Sequence, residues 1–116
     1  MSPRASLAKA GLADAAPVFA ALGDETRLLL VTRLCTEGPL SIVSLTTGAP
    51  VTRQAVTKHL HALAAAGLVR SKPRGRRGQR IWQLEPRRLL EARRYLDRIS
   101  QEWDGALARL KSFVEE

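Results

Sequence analysis

From Pro86 onward, Leu89, Ala92, Leu96, Ile99, Trp103, Ala106, Leu110 and Phe113 alternate spacings of three and four residues without a slip. An α-helix brings residues at that spacing onto one face, and a seam kept over so many turns belongs to a coiled coil or a bundle. Pro86 suits a first helical turn, where its missing N–H is not needed. The last 31 residues, 86–116, are therefore expected to form one helix, about 46 Å long at 1.5 Å per residue. A chain of 116 residues makes one domain with one modest core, and a helix of that length outreaches it. Part of the stripe packs on its own domain. Pairing with the same helix of a second chain, aided by Val18, Phe19 and Leu22, would bury the surplus. The expected dimer interface is Val18, Phe19, Leu22, Leu89, Leu96, Ile99, Trp103, Ala106 and Leu110.

The charge is equally uneven. Residues 52–82 hold Arg53, Lys58, Arg70, Lys72, Arg74, Arg76, Arg77 and Arg80 and no Asp or Glu. Before and after that stretch acids and bases cancel, so the whole net charge of +8 comes from it. A local excess makes a local positive potential, which attracts nucleic acid, an anionic membrane or an acidic partner.

Composition narrows the class. The 45% of apolar residues argue for a folded chain, and no apolar run approaches the roughly 20 residues needed to span a bilayer. The opening residues lack a continuous apolar core of the kind a secretory signal has. A single cysteine, Cys35, excludes an internal disulfide and is compatible with a reducing compartment. A soluble cytoplasmic protein is expected.

Along the chain, residues 1–13 read as a loose tail and 14–116 as one domain. From Asp14, the residues Val18, Phe19 and Leu22 suggest a short helix stopped by Gly23. Asp24 is a good N-cap for a second helix, with Glu25 in its first turn. That helix places Leu28, Val31, Leu34 and Cys35 on one face, making Cys35 an inert core thiol. Ser41 caps a short third helix through Ile42, Val43 and Leu45, and Thr52 caps a fourth over 52–66. On the fourth, Val56, Leu60 and Leu63 recur at i, i+4 and i+7 and face the core. The other face shows Arg53, Gln54, Thr57, Lys58 and His61. After Gly67 the period changes. LVRSK and QRIWQL, separated by the glycine-containing PRGRRG, read as a two-stranded hairpin over 68–84 with a basic tip. The expected class is mainly α with a small β-hairpin wing, a winged helix-turn-helix of order ααααββα with a long C-terminal dimerisation helix.

The stretch Ala21-Leu22-Gly23-Asp24-Glu25-Thr26-Arg27-Leu28 resembles the ALxDxTRL opening of arsenic-repressor-type (ArsR/SmtB) transcriptional regulators. Val51 to Leu60 and Ala66-Gly67-Leu68-Val69 resemble that family's recognition helix and exit. The stretch from Gly75 to Leu84 resembles its GRxxxYxL wing. The likeness covers about residues 18 to 90 closely and implies a repressor, and the two-fold dimer expected from the last helix calls for an imperfect inverted repeat as its operator. The family's usual metal sites have no counterpart. The third helix, SIVSLTTG, has no Cys or His, and the last helix has no His. A closed zinc site needs about four converging ligands. His59 and His61, two apart, point in different directions. His59 reads as structural and His61 as a contact to phosphate. No metal, no cofactor and no catalytic constellation is expected.

The chemistry of the charged face fits duplex DNA. Arg53 can pair bidentately with guanine and Gln54 with adenine, while Thr57 can offer hydroxyl or methyl to thymine. Lys58 suits a phosphate or a second guanine. In the wing, Arg74, Arg76, Arg77 and Arg80 can straddle phosphates or enter the minor groove. Arg70 and Lys72 sit closer to the body and can cover apolar surface with their stems. The expected DNA-binding set is Thr52, Arg53, Gln54, Thr57, Lys58, His61, Arg74, Arg76, Arg77 and Arg80. Two rivals remain, an RNA- or ribosome-associated winged helix and a module whose wing meets an acidic protein. The deep major groove of RNA would waste the helix face.

Overall fold

The computed structural model describes residues 3–75 and 78–115. Five helices and three short strands follow in the order α1 (Pro3–Leu22), α2 (Glu25–Glu37), β1 (Leu40–Ser41), α3 (Ile42–Thr46), α4 (Arg53–Ala65), β2 (Val69–Arg74), β3 (Gln79–Leu84) and α5 (Pro86–Glu115). The strands form one antiparallel sheet of order β1-β3-β2. Leu40 stands opposite Trp82, and Val69 opposite Leu84. The mainly helical winged helix-turn-helix expected from the sequence is what is observed.

Local chemistry sets the boundaries. Asp24, Ser41 and Thr52 are N-caps in extended conformation, accepting from the amides of Arg27, Ser44 and Ala55, and each satisfies a backbone donor that the helix itself cannot. At the end of α4, Gly67 adopts φ +76°, with the Arg88 side chain lying across it. A Cβ there would stand 3.0 Å from Arg88 Cγ. Arg33 clamps the helix-turn from outside, Nη1 donating to the carbonyls of Ser44, Leu45 and Thr47 at 3.0–3.1 Å. Its Nε donates to Glu37 at 2.8 Å. That bond raises the arginine's pKa and holds the Glu37 carboxyl below its ordinary range.

The core gathers Val18 and Ala21 of α1, Leu30 and Leu34 of α2, and Leu45 of α3. Val56, Leu60 and Leu63 of α4 join Leu68, Val69, Trp82 and Ala92 to complete it. Three expectations are corrected. The tail expected over 1–13 is helical from Pro3; alanine-rich sequence favours helix without needing apolar periodicity. The hairpin gains a third strand from Leu40 and Ser41. In α2 the buried pair is Leu30 and Leu34, whereas Leu28 and Cys35 are exposed. Cys35 is thus a surface thiol rather than a core one.

α5 leaves the body. The chain measures 69 × 30 × 20 Å with a radius of gyration of 18.8 Å, against about 13 Å for a compact chain of this length. α1 packs along α5, and the Phe19 and Tyr95 rings meet at 6.0 Å. Beyond Ala92 the α5 stripe is largely uncovered. No helix among the described residues is long and apolar enough to cross a membrane.

Candidate nucleic-acid interface

The inward stripe of α4 fixes what the helix presents outside. With Val56, Leu60 and Leu63 fully buried, Arg53, Gln54, Lys58 and His61 are exposed and Thr57 is half-buried. Thr52 is spent on the cap, its Oγ1 accepting from Ala55 N at 3.2 Å. The Thr57 hydroxyl donates to the Arg53 carbonyl at 2.9 Å, leaving its methyl and its acceptor lone pairs for a partner.

The exposed face divides into two rows. Arg53, Thr57 and His61, spaced by one turn, line a groove of about 650 Å³. Ser41, Ile42 and Val43 form its α3 side, and Gly78, Gln79, Arg80 and Trp82 its wing side. Gln54 and Lys58 lie outside that groove. The His61 ring stands 6.1 Å from that of Trp82, so the wing's one buried aromatic braces the helix end of the groove. Ser41, Ile42, Val43, Gln79 and Trp82 were not legible as groove residues, because α3 and the wing meet α4 only through the tertiary fold.

Arg74 and Arg80 are exposed on the two strands of the wing, Arg74 opposite Gln79 and Arg80 opposite Pro73. Arg80 Nη1 donates to Ser71 Oγ at 3.0 Å, across the hairpin. Arg76 and Arg77, expected at the wing tip, lie outside the described residues. Among the described lysines and arginines of 52–82, Arg70 alone has a carboxylate within 4 Å, Glu85 at 3.5 Å. The charge excess of the sequence therefore survives folding on α4 and on the outer wing.

A second cluster orients α4. Arg27 Nε donates to the Ala21 carbonyl and Nη2 to that of Ala20, satisfying the end of α1. Its Nη1 lies 3.3 Å from His59 Nδ1, and Asp24 Oδ2 lies 3.8 Å from the same nitrogen. The Arg27 amide chiefly, with the nearby His59 and Arg27 charges, holds the Asp24 carboxyl below the usual range. This places His59 among structural partners, as its position beside the apolar stripe suggested. Its distant partners gave no local signal. Among the described residues no group of three or more His, Cys, Asp or Glu is arranged to hold a metal ion.

Of the residues expected at a dimer interface, Val18 is 0% exposed within its own chain and has no surface left to offer. Phe19, Leu22, Leu89 and Ala106 are half-buried. Leu96, Ile99, Trp103 and Leu110 are exposed, Trp103 at 63%. Leu107, Phe113 and Val114 extend the same uncovered surface.

Comparison with known proteins places this geometry. No family model matches the chain. An HTH-type transcriptional regulator of Mycobacterium tuberculosis is 40% identical over 95 residues, covering 82% of this chain and 83% of that one. An ArsR-like transcriptional regulator from Rhodococcus sp. RHA1 is 44% identical with a TM-score of 0.74, covering 87% of this chain and 92% of that one. A winged helix-turn-helix DNA-binding domain from Mycobacterium bovis, described as homodimeric, shares the fold at 21% identity and a TM-score of 0.61. That match covers 88% of this chain and 87% of the other.

Proposed function

The chain belongs to the ArsR family of winged helix-turn-helix transcriptional regulators, and from that premise we propose that it is a homodimeric repressor that binds duplex DNA sequence-specifically near a promoter. The observation that carries the DNA reading is the exposure of Arg53 and Lys58 on α4 and of Arg74 and Arg80 on the wing, with no carboxylate within 4 Å of any of them among the described residues. The neutral Gln54 is exposed beside Arg53 on α4. α4 enters the major groove, where Arg53 takes guanine and Gln54 adenine. Lys58, His61, Arg80 and Arg74 hold phosphate and set register. Arg76 and Arg77 extend the wing's charge by sequence.

Two copies pair through the exposed stripe of α5 from Leu96 to Leu110, with Phe19 and Leu22 of α1 beside it. The unpacked length of α5 and the homodimeric description of the Mycobacterium bovis domain support this. A two-fold pair presents two recognition helices to major grooves about 34–36 Å apart, which calls for an imperfect inverted repeat. Repression follows from occupancy, the bound dimer excluding polymerase. Relief does not run through the family's usual metal sites, whose positions carry no Cys or His set in this sequence, and falls to an unidentified small-molecule or protein signal.

Fluorescence anisotropy against the DNA upstream of the protein's own gene, with a scrambled duplex and an RNA of matched length over a salt series, tests the reading. Tight binding to the native duplex, steep in salt and well separated from the scramble, supports it. Preference for the RNA would overturn it.

A further inference from the structure

The groove between α3, α4 and the wing holds an apolar residue that folding does not use. Val43 is 60% exposed in the first turn of α3. Its neighbours on that helix turn inward, Leu45 fully buried and Ile42 packed partly against the core. Val43 instead lines the groove opposite Arg53 and Thr57. Ile42 and Trp82 also line the groove but are half-buried and buried, and every other exposed side chain around it is polar or cationic, so the groove is built for a polyanion and yet exposes one apolar side chain.

A duplex seated there offers phosphates, sugars and base edges. On the base edges of the major groove one group is apolar, the thymine 5-methyl. Thr57, its hydroxyl already donated to the Arg53 carbonyl, brings a second methyl-bearing side chain to the same wall. We propose that Val43 is a specificity-determining residue that seats the 5-methyl group of a thymine, within a base step or two of the base read by Arg53. The inference rests on the duplex-DNA reading above and adds to it a contact from the first helix of the helix-turn-helix.

The test begins by selecting duplexes from a random-sequence pool with the wild-type protein. Each dT of the enriched site is then replaced by dU, which removes the methyl and nothing else. Anisotropy should find one thymine per half-site whose replacement weakens binding about fourfold, the factor that one buried methyl group is worth. Val43→Ala should bind the dT and dU duplexes equally, and should bind the dU duplex as tightly as wild type does. Val43→Thr, close in shape but carrying a hydroxyl, should lose most of the discrimination. Equal weakening of both duplexes by Val43→Ala would assign the side chain to sugar packing or to the fold, and overturn the proposal. So would an enriched site in which no thymine methyl matters, and that result would leave the duplex reading standing. A pool that shows no enrichment would remove the sequence-specific reading and this contact together.

Discussion

Arg27 of α2 reaches His59 of α4, its Nη1 3.3 Å from the imidazole Nδ1, while its other nitrogens donate to the last carbonyls of α1. One guanidinium thus joins the helix that packs along α5 to the helix that presents the cationic face. Arg27→Ala strips these bonds at once, and hydrogen bonds to a charged group contribute about 1.5–3 kcal/mol. Urea unfolding should show a loss of about 2 kcal/mol, reduced somewhat because the site is only partly buried. Arg27→Lys should recover little, since an ammonium cannot reproduce the fork. An Arg27→Ala midpoint equal to wild type would mean that the cluster does not hold the helices together.

The same cluster predicts a dependence on pH. The Asp24 carboxyl is held below its ordinary value, chiefly by the Arg27 amide. A carboxyl depressed in the folded state stabilises the fold at pH values above its unfolded pKa, near 4. That contribution is lost as pH falls through the folded value. Asn can still cap the helix but carries no charge. Asp24→Asn should therefore be less stable than wild type at neutral pH, and the gap should close below about pH 4. Thermal melts of both proteins across pH 3 to 7 check this. A gap that stays constant would show that the charge contributes nothing.

Gly67 closes α4 at φ +76° with Arg88 lying over it. Alanine pays about 1 kcal/mol for the left-handed conformation and also meets the Arg88 stem. Gly67→Ala should cost about 1–2 kcal/mol on these grounds. Adding Arg88→Ala should return only the contact part. Full rescue would mean that the positive φ is not strained.

How much of this was legible follows from range. Asp24, Ser41 and Thr52 were readable as caps because a cap acts three residues along the chain. The inward stripe of α4 was readable because Val56, Leu60 and Leu63 repeat at helical spacing. In α2 the run Leu28-Leu29-Leu30-Val31 is apolar on every side, so periodicity could not choose the buried face, and packing chose Leu30 and Leu34. α1 before Asp14 has composition without pattern, and a two-residue strand has no period to detect. The roles of Arg27, Arg33 and Val43 depend on partners that only the fold brings near.

The rows of α4 and the wing should separate by salt. Arg53→Ala should cost about 1–3 kcal/mol on the selected site and relax its preference at one base pair. Arg80→Ala removes a wing charge, tethered to Ser71 across the hairpin. It should weaken selected and scrambled duplexes alike and lower the slope of log K against log salt by about one for each protomer, about two for the dimer. If Arg53→Ala behaved as Arg80→Ala does, the groove row would be a phosphate clamp and the base reading would fall to Gln54 and Lys58.

Pairing through α5 can be read from one tryptophan. Of the chain's two, Trp82 is buried in the core and Trp103 is 63% exposed. In a dimer Trp103 enters an apolar contact, so dilution through the dissociation range should shift its emission to the red while Trp82 stays constant. Leu110→Glu places an unpaired carboxylate on the stripe one heptad from Trp103, and burying such a charge costs several kcal/mol. That variant should sediment as a monomer and melt at a lower temperature that no longer depends on protein concentration, because it loses the partner chain. Its affinity for a duplex with two half-sites should fall toward that for one half-site. A Leu110→Glu protein that still sediments as a dimer would place the interface elsewhere, on α1 or the body rather than along the uncovered length of α5.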